Sequence, residues 1–132
     1  MKLNMIALAI CAVLFLASCN AAETPEASYR QISTQEAVTM MAEETDYIIL
    51  DVRTQEEFAS GHIPEAINIP NEVIGTEDIP ELPNKEQLIL VYCRSGNRSK
   101  QASEKLAVLG YTNIVEFGGI NDWPGETISG EE

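Results

Sequence analysis

Positive charge is what this 132-residue chain has least of: 8 Lys and Arg stand against 21 Asp and Glu, for a formal net charge of −13. That balance excludes nucleic acid as an expected partner, because a phosphate backbone is bound through a basic face. Long apolar runs are missing too. The longest, Met5 to Ala17, has 13 residues, whereas a helix needs roughly 20 to cross a bilayer core. Only three cysteines are present, at 11, 19 and 93, too few for the disulfide framework that holds many small secreted domains. The length suits one small domain with a single core, which needs neither metal nor disulfide to hold it.

The first residues are read separately. Lys2 precedes the apolar run and small or polar residues follow it, the pattern of a secretory signal peptide. Leu16-Ala17-Ser18-Cys19 resembles the bacterial lipobox, whose Cys is lipidated and becomes the mature first residue. Residues 1–18 are therefore expected to be a lipoprotein signal peptide, and residues 19–28 the lipidated Cys19 with a flexible tether, since 20–28 hold nothing apolar larger than Ala. The alternative is an ordinary signal peptide cleaved near Ala22. On the first reading the protein is extracytoplasmic, periplasmic or at the cell surface, and touches a bacterial membrane through its lipid alone. Cys11 is then removed and Cys19 becomes a thioether, so Cys93 is the one thiol left. An unpaired thiol in an oxidising compartment calls for a chemical explanation.

Residues 29–128 read as the folded domain. Strands are expected at Tyr29 to Ser33, Tyr47 to Val52, Ala66 to Ile69, Gln87 to Tyr92 and Asn113 to Phe117. Two of them, YIILDV and QLILVY, are the near-continuous apolar runs of strands buried on both faces. Ser33-Thr34-Gln35-Glu36 has capping-box spacing and opens a helix to about Glu44, and Thr54 to Glu57 repeats it before a short helix ended by Gly61. Ser99 to Leu109 is expected to be the clearest helix, with Gly110 placed to stop it. Strands alternating with helices predict an α/β fold: an open parallel sheet with helices on both faces.

In such sheets ligands collect at the C-terminal ends of strands, and Cys93 follows the Gln87 to Tyr92 strand directly. The next residues, Arg94-Ser95-Gly96-Asn97-Arg98, form a turn whose Gly96 lets backbone N–H groups approach an anion, with a helix N-terminus behind it. Arg94, Arg98, Lys100 and Lys105 are four of the seven basic residues that remain once Lys2 is removed, within twelve positions. This neighbourhood favours thiolate over thiol.

Several ordered motifs now resemble the single-domain rhodaneses, a sulfurtransferase family. They are Asp51-Val52-Arg53, Glu57-Phe58, Gly61-His62-Ile63-Pro64, Ala66 to Pro70, the Cys93 to Ser99 loop CRSGNRS, and Gly118-Gly119-Ile120 with Trp123. Glu65 departs from the pattern, standing where the family usually has Gly. The resemblance implies a rhodanese-like fold and a double displacement. Cys93 would be the catalytic nucleophile that takes sulfane sulfur from a donor such as thiosulfate and passes it, as a persulfide, to cyanide or a thiol. Arg94, Ser95, Gly96, Asn97 and Arg98 would bind the substrate, through backbone N–H groups and the two Arg side chains. Asp51, Arg53 and Ser99 would support the loop, with Ser99 beginning the helix and capping it. No metal or organic cofactor is required, small sulfur-containing anions and an acceptor are the expected partners, and a monomer is expected. His62, the only histidine, is expected to be structural, and Trp123 a core or rim aromatic.

Three rival readings fit the chain less well. Phosphatases and arsenate reductases of the same superfamily carry Cys-x5-Arg, a seven-residue cradle, whereas four residues separate Cys93 from Arg98 here. A non-catalytic binding module would keep the fold without the loop chemistry, yet the Cys and both Arg are present. A dithiol oxidoreductase lacks a resolving Cys in the mature chain.

Overall fold

A computed structural model describes residues 28–131. The expected signal peptide, Cys19 and all of the tether but Ser28 lie outside the described residues. The elements run β1 (Arg30–Gln31), α1 (Thr34–Glu43), β2 (Tyr47–Asp51), α2 (Gln55–Ser60), β3 (Ile67–Asn68), a 3-10 turn (Asn71–Val73), β4 (Leu88–Cys93), α3 (Asn97–Val108), β5 (Ile114–Gly119) and a second 3-10 turn (Ile120–Asp122). All strand pairs are parallel, in the order β1-β5-β4-β2-β3.

Alternation along the central strands sorts the core into two layers. Leu50, Ile89, Val91, Cys93 and Ile114 face α3, packing with its Ala102 and Leu106. Ile49, Leu88, Leu90, Tyr92, Val115 and Phe117 face the other way, onto Ala37 of α1 and Phe58 of α2. Helices thus cover both faces, as a sheet of doubly buried apolar strands requires.

The caps follow local chemistry. At α1 the box is reciprocal: Ser33 Oγ accepts from Glu36 N–H at 3.1 Å and Glu36 Oε2 accepts from Ser33 N–H at 2.7 Å. At α2 only half of the expected box forms, with Thr54 Oγ1 accepting from Glu57 N–H at 3.2 Å, because the Glu57 carboxylate is turned to Arg98. Helix α3 begins at Asn97, two residues before the expected Ser99, and its N-cap is Gly96, with no side-chain cap bond. Ser99 is buried in the first turn and does not cap the helix. Gly110, at φ 97°, stops α3 in the left-handed conformation as the spacing implied. Glu65 also takes a left-handed φ of 70°, so the turn keeps the glycine-type geometry without the glycine.

One irregularity shapes the functional end of the sheet. Val91 pairs with Glu116, but Cys93 pairs with Gly119, so β5 carries an extra residue there. Gly118, at φ 89°, absorbs this bulge. A side chain on Gly119 would overlap the carbonyl of Arg94, so its lack of one lets the loop after β4 lie directly on β5.

Candidate active site

The loop after β4 wraps around one sulfur atom. Cys93 lies at the last position of the strand, 1 % exposed. Gly96 N–H donates to Sγ at 3.0 Å, and the Ser99 hydroxyl is 3.4 Å from it. Gly96 reaches this position with φ 115°, a conformation that glycine adopts at little cost. Burial pushes the Cys93 thiol up, but hydrogen bonds from the Ser99 hydroxyl and from the backbone N–H groups of Ser99, Gly96 and Ser95 outweigh it. The net effect is to lower the thiol below its ordinary range. Burial and helix-end donors act in opposite directions, and the donors win.

The cluster of basic side chains does not close on the sulfur. Arg98 forks onto Glu57 of α2, Nη1 to Oε1 at 2.6 Å and Nη2 to Oε2 at 3.0 Å. Lys105 is directed to Asn71, with Nζ donating to its backbone oxygen at 2.8 Å and its Oδ1 at 3.0 Å. Arg94, Ser95, Asn97 and Lys100 are exposed. Of the expected substrate-binding set, Arg98 therefore links two elements, Gly96 touches the sulfur, and Arg94 presents its charge to solvent. Arg98 still feels the Cys93 charge, which adds to the larger effect of Glu57 in raising its pKa.

Asp51 and Arg53 form a separate buried unit at the end of β2. Asp51 Oδ1 accepts from the Arg53 backbone N–H at 2.9 Å, while Arg53 Nη2 donates to Oδ2 and to the Gly61 carbonyl, both at 2.7 Å. This unit supports the turn after β2, with the Arg53 hydrogen bonds directed to Asp51 and to Gly61. His62 is fully buried, stacked on Phe58 with ring centroids 3.7 Å apart. Its Nδ1 lies 2.8 Å from the Phe58 carbonyl, which only accepts, so that nitrogen carries the proton. Trp123 packs at the edge of the α1–α2 layer against Phe117.

The residue that the sequence reading missed is Glu116. It is 2 % exposed, with Oε1 accepting from Gly118 N–H at 2.8 Å and lying 2.6 Å from Ser99 Oγ. A signal was available: a carboxylate interrupts the apolar run Ile-Val-Glu-Phe at the position that alternation directs toward α3. The sequence marks Glu57 as a capping-box residue and as part of a family motif, and its bond to Arg98 appears only in the fold. Among the described residues no group of three His, Cys, Asp or Glu side chains converges as a metal site.

The chain as a whole is similar to known proteins. The model of the rhodanese-like domain family matches residues 33–126. Thiosulfate sulfurtransferase PspE of Escherichia coli is 37 % identical over 73 residues, 55 % of this chain and 70 % of that protein. A sulfurtransferase of Allochromatium vinosum is 35 % identical over 94 residues, 70 % of this chain and 86 % of its own length. Among solved structures, an E. coli rhodanese with bound anions superposes at a TM-score of 0.59 with 33 % identity, covering 64 % of this chain and 99 % of that one. A human single-domain sulfurtransferase superposes at 0.63 with 28 % identity, covering 73 % and 96 %.

Proposed function

This chain belongs to the rhodanese-like family, among sulfurtransferase-like enzymes, and on that premise we propose that it carries sulfane sulfur as a persulfide on Cys93. The donor is a small anion such as thiosulfate, and the acceptor is cyanide or a thiol. The Cys93 thiolate attacks the outer sulfur of thiosulfate, the S–S bond breaks, and sulfite leaves with the electron pair. A nucleophilic acceptor then attacks the terminal sulfur, and the pair of the broken bond returns to Cys93 as thiolate. Electrons balance over the two steps, so no oxidant, metal or organic cofactor is needed.

The observation that carries this reading is the backbone ring around the sulfur. Gly96 N–H donates to Sγ at 3.0 Å, and Ser95 and Ser99 also contribute N–H groups that favour the anion. Fixed N–H dipoles stabilise negative charge on sulfur without reorganising as the reaction proceeds. Arg94, exposed beside the loop, is the cation that meets an incoming anionic donor. A six-residue Cys93 to Arg98 loop has room for sulfur rather than for the oxygens of a phosphate.

Intact-mass measurement after incubation with thiosulfate should show one added sulfur atom, removed by cyanide and absent in Cys93→Ser. Cys93-dependent aryl-phosphate hydrolysis without that adduct would instead support the phosphatase rival.

The same proposal sets the protein on the outer side of a bacterial membrane, through acyl chains on Cys19. Each buried CH₂ contributes ~0.8 kcal/mol, so two or three chains anchor stably. The wild type should partition into the detergent phase and Cys19→Ser should not; equal partitioning would remove the anchor from the proposal.

A further inference from the structure

Behind the nucleophile lies a buried acid that the sulfur-transfer steps leave unused. Its neighbours Ile114, Val115 and Phe117 are buried apolar residues, and an apolar side chain at 116 would fill the same space without the cost of burying a carboxyl group. Glu116 meets one hydroxyl there. Ser99 Oγ lies 2.6 Å from Glu116 Oε1, 2.9 Å from the Gly96 carbonyl, 3.3 Å from the Gly118 carbonyl and 3.4 Å from Cys93 Sγ. The shortest of these distances, to Glu116, is that of a charge-assisted O–H···O bond. One hydroxyl therefore stands between the two acids, donating to the Glu116 carboxylate and within reach of the Cys93 thiol.

We propose that Glu116 is a positioning residue that shares a single proton with Cys93 through the Ser99 hydroxyl. When Cys93 ionises, its S–H bond breaks and the proton passes to Ser99 Oγ, while the Ser99 proton passes to Glu116 Oε1. The result is a thiolate that accepts from Ser99 and a neutral carboxyl that donates to it. The buried pair carries one negative charge in either arrangement. An anionic sulfur donor then meets one anion in the loop rather than two, which in a poorly solvated site would repel each other and the donor. The charged groups near this loop are Arg98 on α3, on which Glu57 of α2, Cys93 and Glu72 of the 3-10 turn all act, and Arg94, exposed on the loop. Substitution at 116 leaves all of them in place.

The inference rests on the sulfurtransferase reading only for the use it gives the thiolate, and its test is separate from sulfur transfer. Iodoacetamide modification of Cys93 in the full chain, followed by peptide mass spectrometry across pH, should show two coupled steps in the wild type. Glu116→Gln should leave one step, at least ~1 pH unit below the alkaline step of the wild type, with faster modification at neutral pH. Glu116→Asp, which restores a carboxyl group, should restore the second step. Without any substitution, infrared difference spectra of protein labelled with ¹³C-Glu should show a protonated carboxyl while Cys93 is a thiolate, lost once the sulfur is alkylated. A single-step profile shared by wild type and Glu116→Gln, or no such band, would overturn the shared proton. Persulfide formation measured on unalkylated aliquots of the same proteins fails or succeeds independently, so the two readings stand or fall apart.

Discussion

Neighbouring parallel strands, β2 and β4, both run into helices, and they finish the turn by opposite means. After β2 the work is done by side chains: Arg53 is forked onto Asp51 and onto the Gly61 carbonyl, and the Thr54 hydroxyl caps α2. After β4 it is done by backbone: Gly96 caps α3 without a side-chain bond, and N–H groups turn inward around Sγ. The first turn has its donors already satisfied by its own acceptors. The second keeps donors for an anion, the arrangement that a nucleophile needs if its charge is to be held before the substrate arrives.

If that contrast is right, damage to the two turns should read out differently. Asp51→Asn leaves Arg53 buried opposite a neutral partner, and breaking a buried pair costs about 3–5 kcal/mol. Chemical denaturation should register a loss of that order, a large part of the roughly 5–15 kcal/mol that holds a domain. The fraction still folded should form persulfide normally. A variant of wild-type stability would show that the Asp51 unit is not what holds the β2 turn.

Gly119→Ala acts on the second turn. The added carbon overlaps the Arg94 carbonyl, so the loop must lift and its N–H groups lose their aim at Sγ. Losing one such preorganised donor lowers turnover by about 10²–10³, and sulfur transfer should fall by at least that much. The Cys93 ionisation midpoint should rise as well. Unchanged transfer would mean that the loop does not depend on its contact with β5.

The parts of this molecule that were readable in advance are those specified locally. Apolar runs at 47–52 and 87–92 marked the buried strands, and Cys93 sat where an open parallel sheet binds its ligands. What was not readable came from distance and from competition. Arg98 was assigned to an anion because its partner Glu57 lies 41 positions away, on a helix whose approach depends on the whole sheet. The start of α3 was placed at Ser99 because hydroxyls cap helices well, yet the turn around Sγ requires Gly96 there and draws Ser99 inward to Glu116. Neither outcome follows from local propensity.

Glu65 offers a smaller test on the first turn's side. A non-glycine residue at φ 70° bears roughly 1–2 kcal/mol of strain, and glycine recovers part of this while adding freedom to the unfolded chain. Glu65→Gly should raise the free energy of unfolding by a net ~1 kcal/mol or less and leave transfer unaltered. A destabilised variant would place the strain elsewhere.

The smallest expected effect belongs to the ion pair that ties the two turns together. Arg98 at the start of α3 is held by Glu57 in the first turn of α2, with both side chains partly exposed, at 27 % and 29 %. The Arg98 hydrogen bonds, assisted by its charge and by Thr54, outweigh burial and hold the Glu57 carboxyl down at about 2, below its ordinary 4.5. A carboxylate whose folded value is depressed contributes stability that is fully present above its unfolded value and is lost as pH falls through the folded one. The contribution of this pair is thus complete at neutral pH and fades between about 4.5 and about 2. Solvent and salt screen a partly exposed pair, so Glu57→Gln should cost no more than ~1 kcal/mol at pH 7, and the difference from wild type should close toward pH 2. Release of Arg98 should at the same time return its charge to the Cys93 loop and strengthen capture of an anionic donor, read as a lower KM for thiosulfate. A pH-independent stability difference, or a KM that rises, would show that the Glu57–Arg98 bridge holds the loop in its working shape rather than withholding a cation from it.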